Sequence, residues 1–229
     1  MMKRFLSILL LSLSLVVFSG CGDSSGDSNS DYQSSVELFK GVYGMDITDE
    51  QRTRIYFEKS DRVTEIYSAE EIEAIRAYSD YDWAVKINNS LRTGQPLDAD
   101  DQKKLETLLF AVEKYTTGQD VVVYRGVNDY KKLFGGELPT EGMQVQWGGF
   151  VSTTINRYIA ENYSGQTEDS VVIELLVPKG THGIMMGTEK LSDACRRDKE
   201  FLLPHQTKVK VVSVEKTSNG YNVRAIVIH

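Results

Sequence analysis

The chain has 229 residues, with 33 acidic against 26 basic side chains and a formal charge of −7. That balance excludes a nucleic-acid binder working through a basic face, because phosphate contacts need clustered Lys and Arg. The three histidines, His182, His205 and His229, show no ligand spacing, so no metal site is expected.

The N-terminus reads as an export signal. Lys3 and Arg4 precede an apolar run from Phe5 to Phe18, and Ser19-Gly20-Cys21 follows. A membrane-spanning helix is the competing reading, but the run is shorter than the ~20 apolar residues a span needs and contains Ser7, Ser12 and Ser14. The ending resembles a bacterial lipoprotein signal, with Cys21 as the lipidated residue and Phe18 in place of the usual Leu. This predicts an exported protein, tethered to the outer side of the bacterial membrane through Cys21 or secreted. If Cys21 carries lipid, Cys195 is the one remaining thiol. If it does not, a Cys21–Cys195 disulfide is the alternative. Residues 22–35 are Gly/Ser/Asp-rich and read as a flexible tether. Residues 36–229 have a normal length for one domain.

The first half of this domain has helical periodicity. A first helix is expected over Ile47–Lys59. Ser68-Ala69-Glu70-Glu71 has the form of a capping box. Ile72, Ile75, Tyr78, Val85 and Leu91 then recur at helical intervals, with a break expected near Ser79–Asp82. Asp98 is a candidate cap for a helix carrying the stripe Leu105, Leu108, Leu109, Val112, with Gly118 as its stop.

The second half reads as short strands: Val121–Tyr124, Gly149–Ser152, Val171–Val177, Ile184–Met186, Phe201–Leu203, Lys208–Val214 and Tyr221–Ile228. Ser218-Asn219-Gly220 predicts a hairpin between the last two. One helical stretch, about Asn156–Tyr163, interrupts them. Helices first and strands later predict an α+β domain. No P-loop or Gly-x-Gly-x-x-Gly pattern occurs, so no Rossmann-type nucleotide site is expected.

Three short segments carry the chemistry. They are Val123-Tyr124-Arg125-Gly126, Ser152-Thr153-Thr154 and Asp198-Lys199-Glu200, the last running into Phe201-Leu202-Leu203-Pro204. Strand alternation predicts both carboxylates of the third segment on one face. Taken singly, each segment has an ordinary reading: a strand-end arginine, β-rich composition, a solvated turn. In this order, and with Val177-Pro178-Lys179-Gly180 between them, they resemble the ADP-ribosyltransferase toxin family. The resemblance is to the catalytic components of clostridial binary toxins and related exoenzymes.

The resemblance implies an ADP-ribosyltransferase-like fold: two packed antiparallel β-sheets with an N-terminal helical layer. It also implies NAD as cosubstrate, an unidentified acceptor protein as partner, and a monomer. Glu200 then accepts a hydrogen bond from the ribose 2′-hydroxyl and stabilises the oxocarbenium-like sugar left as nicotinamide departs. Arg125 holds the pyrophosphate, for which a permanently charged fork is suited. Gly126 allows close backbone approach to the carboxamide. Ser152 orients Glu200, and Thr153 and Thr154 shape the floor. Asp198 takes the acceptor side, where an acid goes with arginine as acceptor. An arginine is protonated up to a pKa of about 12 or more, so it needs a carboxylate to orient it and take its proton.

Departures from the family pattern bear on these roles. Asp198 is one methylene shorter than the usual Glu. Cys195 stands where the family often has an aromatic. The Ala-x-x-Phe-x-x-Arg pattern reads Ala160-x-x-Tyr163-x-x-Gln166, which keeps a ring for nicotinamide but drops a cation, with Arg157 a candidate substitute. Tyr124, Phe150 and Phe201 are assigned to the core, Arg196 and Arg197 to an exposed loop. The reading is a mono-ADP-ribosyltransferase acting on arginine. A NAD glycohydrolase and a non-catalytic binding module are the alternatives.

Overall fold

The structure is a computed structural model and describes residues 65–165, 167–186 and 197–229. The expected signal and tether (1–35), the helix expected over Ile47–Lys59, and Cys21, Gln166, Cys195 and Arg196 lie outside the described residues.

Among the described residues, three helices precede the sheet. Helix α1 (Ala69–Tyr78) starts where the capping box predicts. Glu71 N–H donates to Ser68 Oγ (3.3 Å) and Ser68 N–H donates to Glu71 Oε2 (2.7 Å), so two orphan donors are satisfied reciprocally. The expected break falls at Ser79–Asp80. Asp80 caps helix α2 (Tyr81–Thr93) by accepting from Trp83 N–H at 3.0 Å. Asp98 caps helix α3 (Ala99–Val112) by accepting from Asp101 N–H at 2.9 Å. Leu105, Leu108 and Val112 are buried as the stripe predicts, while Leu109 is only partly buried and Ala111 is enclosed. Helix α3 ends at Val112, well before Gly118. The backbone beyond it is used for pairing instead: Thr116 bridges His182, and Thr117 N–H donates to Thr181 O at 2.9 Å.

The strands are β1 (Val121–Val127), β2 (Gln144–Trp147), β3 (Val151–Thr154), β4 (Val171–Val177), β5 (Ile184–Met185), β6 (Glu200–Leu203), β7 (Thr207–Thr217) and β8 (Gly220–Ile228). Helix α4 (Arg157–Ser164) lies between β3 and β4. The expectation of two antiparallel sheets is corrected. The strands form one eight-stranded ladder, β2-β7-β8-β4-β1-β3-β6-β5. It is mostly antiparallel, but β4 and β8 run parallel from Val171↔Tyr221 to Leu176↔Ile226. The hairpin at Ser218-Asn219 forces β8 antiparallel to β7, whereas the long connection from β4 to β8 leaves their relative direction unconstrained. Between β1 and β3 the ladder is a single pair, Tyr124↔Thr154.

Alternation along β6 sorts the core. Phe201 and Leu203 join Val123, Ile173, Leu175, Val211 and Val223 in one apolar cluster drawn from both halves of the ladder. Leu202 faces the other way and packs with Ile75, Ile87 and Leu108 of the helical layer. Helix α4 covers a third cluster through Ala160, against Val122, Tyr124 and Leu176. Tyr124, Phe150 and Phe201 are all buried, as expected.

Candidate functional site

The site grows from one row of the ladder. Thr154 pairs with Tyr124 of β1 on one edge and with Glu200 of β6 on the other. The segments singled out in the sequence therefore meet across β3. Arg125 follows Tyr124, and its Nη1 donates to the Ser152 carbonyl at 2.6 Å. Its Nε is buried without a hydrogen-bond partner. Burial pulls the guanidinium's pKa down, Arg92 adds to that, and Tyr78 and Glu200 act in the opposite sense. An arginine stays charged under such pressure because its unperturbed value is so high. The result is a half-buried, anchored cation with a second cation beside it.

Arg92 was not singled out in the sequence. It sits in the last turn of α2, against the start of β3. A Cβ on Gly148 would lie 3.3 Å from Arg92 Cγ, and one on Gly149 would lie 3.1 Å from Arg92 Nη2 and 2.6 Å from Asn88 Oδ1. The two glycines thus let α2 close onto the strand. Asn88, one turn before Arg92, makes the junction specific. Its Oδ1 accepts from Phe150 N–H (2.8 Å) and its Nδ2 donates to the Tyr78 hydroxyl (2.9 Å), all within the buried interior. Tyr78 also stacks edge-on against Phe150 at 5.5 Å.

The Tyr78 hydroxyl lies 3.4 Å from Ser152 Oγ, a long contact for two hydroxyls. Either hydroxyl can donate in this contact, because the Tyr78 oxygen keeps a second lone pair after accepting from Asn88. Burial raises the Tyr78 pKa. Its bonds to Ser152 and Asn88 partly offset this, and the Glu200 and Arg125 charges act on it in opposite directions. The phenol therefore remains a neutral link between the helical layer and the site.

The Asp198–Glu200 segment differs from expectation. The two carboxylates do not share a face by strand alternation, because β6 begins at Glu200 and Lys199 has φ +47°. A left-handed residue between the acids makes a turn, not a pleat. The turn is pinned by β3: Thr154 Oγ1 donates to Asp198 O (2.6 Å), and Ile155 N–H donates to Lys199 O (3.2 Å). Thr153 Oγ1 donates to Phe201 O (2.6 Å), and Met186 N–H donates to Glu200 O (3.0 Å). The Thr pair thus fastens the acid segment to β3 through hydroxyl-to-carbonyl bonds. The Asp198 carboxylate accepts from the Tyr163 hydroxyl of α4 at 2.7 Å. Arg197 is exposed, as expected.

Gly126 has a packing requirement of its own. A Cβ there would lie 1.7 Å from Ala160 O, so α4 fills the room the glycine leaves. Arg157, a candidate substitute for the missing cation, is engaged elsewhere. It reaches Glu161 (2.9 Å), Glu174 (3.5 Å) and Asn222 (3.2 Å). Arg92 is the cation that acts on Arg125.

Comparison with known proteins bears on the family and the fold. Residues 42–228 match the family described as ADP-ribosyltransferase exoenzyme. A curated relative, the NAD(+)–arginine ADP-ribosyltransferase EFV of Enterococcus faecalis, is 29% identical over 164 residues. That match covers 68% of this chain, but the chain spans only 31% of the relative's length. Among solved structures, Plx2a, an ADP-ribosyltransferase toxin from Paenibacillus larvae, superposes with a TM-score of 0.62 at 22% identity, covering 79% of this chain and 97% of that one. C3stau2 from S. aureus, solved with NAD, gives 0.62 at 21% identity, covering 80% and 96%. The family match runs over most of the chain, and the chain belongs to the ADP-ribosyltransferase exoenzyme family.

Proposed function

We propose that the chain cleaves the nicotinamide–ribose bond of NAD and transfers ADP-ribose to an arginine side chain of a protein. The observation that carries this reading is the pair Arg125 and Arg92, set across β3 from Glu200. Two neighbouring guanidiniums repel, and one of them has a buried, unused N–H. Such an arrangement is relieved by a polyanion, and a pyrophosphate supplies one with the right spread of oxygens. The names of two similar proteins support the reading: the Enterococcus relative is an NAD–arginine enzyme, and the staphylococcal one was solved with NAD.

In this reading Glu200 acts at the sugar. As the bond breaks, its electron pair leaves with nicotinamide, which departs neutral, and positive charge develops at the anomeric carbon. Glu200 accepts the 2′-hydroxyl proton's hydrogen bond and stabilises that charge, with Ser152 as its donor neighbour. A guanidine nitrogen of the acceptor then bonds to the anomeric carbon and gives up one proton, for which Asp198 is the nearby base. Thr153 and Thr154 hold the acid segment, and Tyr163 supplies the ring for nicotinamide. The signal ending at Cys21 tethers the domain outside the cytosol.

NAD binding to the full chain, measured by calorimetry, tests the cation pair. The wild type binds, and Arg125→Lys and Arg92→Ala each weaken binding about tenfold, on the scale of one lost charge-assisted contact. Binding that neither substitution changes would overturn the assignment.

A further inference from the structure

Tyr163 is 62% exposed, yet its hydroxyl is committed to Asp198 Oδ2 at 2.7 Å. The contact joins two elements far apart in sequence, α4 and the turn before β6. Both ends are held. Helix α4 is locked to β1 where Gly126 admits the Ala160 carbonyl, and Ser164 Oγ closes its last turn on Glu161 O at 2.7 Å. On the other side, the Asp198 and Lys199 carbonyls accept from Thr154 Oγ1 and Ile155 N–H, which fixes the turn backbone on β3. An exposed aspartate on a free turn samples several rotamers. Here the backbone is fixed, and a phenol selects one orientation of the carboxylate.

From this geometry we infer that Tyr163 is a positioning residue for the acceptor step: its hydroxyl holds the Asp198 carboxylate to receive the incoming guanidinium. The inference rests on the proposed arginine transfer. Tyr163 occupies one lone pair of Oδ2 and leaves Oδ1 and the remaining lone pairs for the acceptor. A guanidinium presents parallel N–H groups, so its capture depends on how the carboxylate plane is turned. Preorganising that plane lowers the cost of docking the acceptor and aligns the nitrogen with the anomeric carbon. Water needs no such alignment. The hydroxyl therefore biases the outcome toward transfer over hydrolysis. In the transfer step the guanidine nitrogen–carbon bond forms, nicotinamide leaves with the old bond's electron pair, and the guanidinium proton passes to Asp198.

The test uses the full chain with NAD and agmatine, a small guanidine. Tyr163→Phe keeps the ring and removes the hydroxyl. The expected result is a fall of about tenfold in the ratio of agmatine transfer to NAD hydrolysis, expressed mainly as a higher KM for agmatine. Pairing Tyr163→Phe with Asp198→Glu, whose longer arm reaches without the phenol, restores part of the ratio. An unchanged ratio, or a loss that appears only in kcat for both reactions, overturns the inference. A second readout is independent of activity. Melting curves of Tyr163→Phe, Asp198→Asn and the double variant should be non-additive, the double losing no more than the worse single. Strict additivity also overturns the inference. A wild type that melts with this coupling but processes no NAD would refute the proposed function while leaving the contact established.

Discussion

The two halves of the ladder are built by different rules. In the half β2-β7-β8-β4, every strand but the edge β2 has seven or more residues, and β4 is buried at all seven positions. Its register runs unbroken into β1 from Val121↔Val177 to Val127↔Val171. In the half β3-β6-β5, no strand exceeds four residues, and buried polar groups recur: Thr153, Thr154 and, above them, Asn88. There the chain is held by side chains bonding to backbone, at Phe201 O, Asp198 O and Phe150 N–H. The first half stores stability in apolar area. The second spends regularity to place a few charged groups, and single side chains rather than whole strands decide its geometry.

The comparison is sharpened by substitutions on either side. The largest stability loss is expected from Leu175→Ala in β4, between Val123 and Ala225 and with no exposed surface. It should cost about 2–5 kcal/mol by chemical denaturation, while the molecules that remain folded keep their NAD chemistry. A loss of activity per folded molecule would show that the halves are not separable. Next is Asn88→Ala. It strands the Phe150 N–H and loosens Tyr78, so about 1–3 kcal/mol should be lost. Here activity of the folded fraction should fall as well, because β3 and Ser152 are displaced. Stability loss with normal turnover would break the contrast.

The smallest effect is a pH dependence in the helical layer. Glu71 is desolvated, which raises its pKa. Hydrogen bonds from Lys114 and Ser68, and the Lys114 charge, outweigh that and leave it below the ordinary carboxylate value. Lys114 Nζ lies 2.7 Å from Glu71 Oε1. A depressed folded pKa means the contribution is present above the unfolded value and is lost as pH falls through the folded one. The wild type should therefore exceed Glu71→Gln in stability at neutral pH, with the gap closing below about pH 4. A gap that widens on acidification would contradict the assignment.

What the sequence revealed follows the same division. β4 was legible end to end, because a seven-residue run with six apolar side chains around Glu174, four of them β-branched, has one stable use in an α+β domain. The Ser68–Glu71 box and the Asp98 cap were legible because their signals are local. Strand β2 was missed. Gln144-Val145-Gln146-Trp147 is a half-exposed edge whose partner, β7, lies over sixty residues away, so nothing local marks it. The parallel pairing of β4 with β8 is a tertiary choice that neither strand encodes alone. At the site, residue identities were readable but geometry was not. Asp198 and Glu200 were expected to alternate along a strand, whereas a left-handed Lys199 and the Thr154 hydroxyl set their relation. Asn88 lies three residues from both Val85 and Leu91, but a lone polar residue on that face does not show its burial, and the partners that give it and Arg92 a task are at Tyr78 and the approach to β3.

The most direct test of the account is nicotinamide release and label transfer from labelled NAD by the full chain, with Glu200→Gln alongside. The wild type should release nicotinamide and label agmatine or an arginine-bearing protein. The variant, folded to the same extent, should lose at least about two orders of magnitude in both, on the scale of a missing transition-state electrostatic group. Equal rates from both proteins would contradict Glu200 as the group that stabilises the departing sugar. A folded wild type that does neither would contradict the enzyme itself.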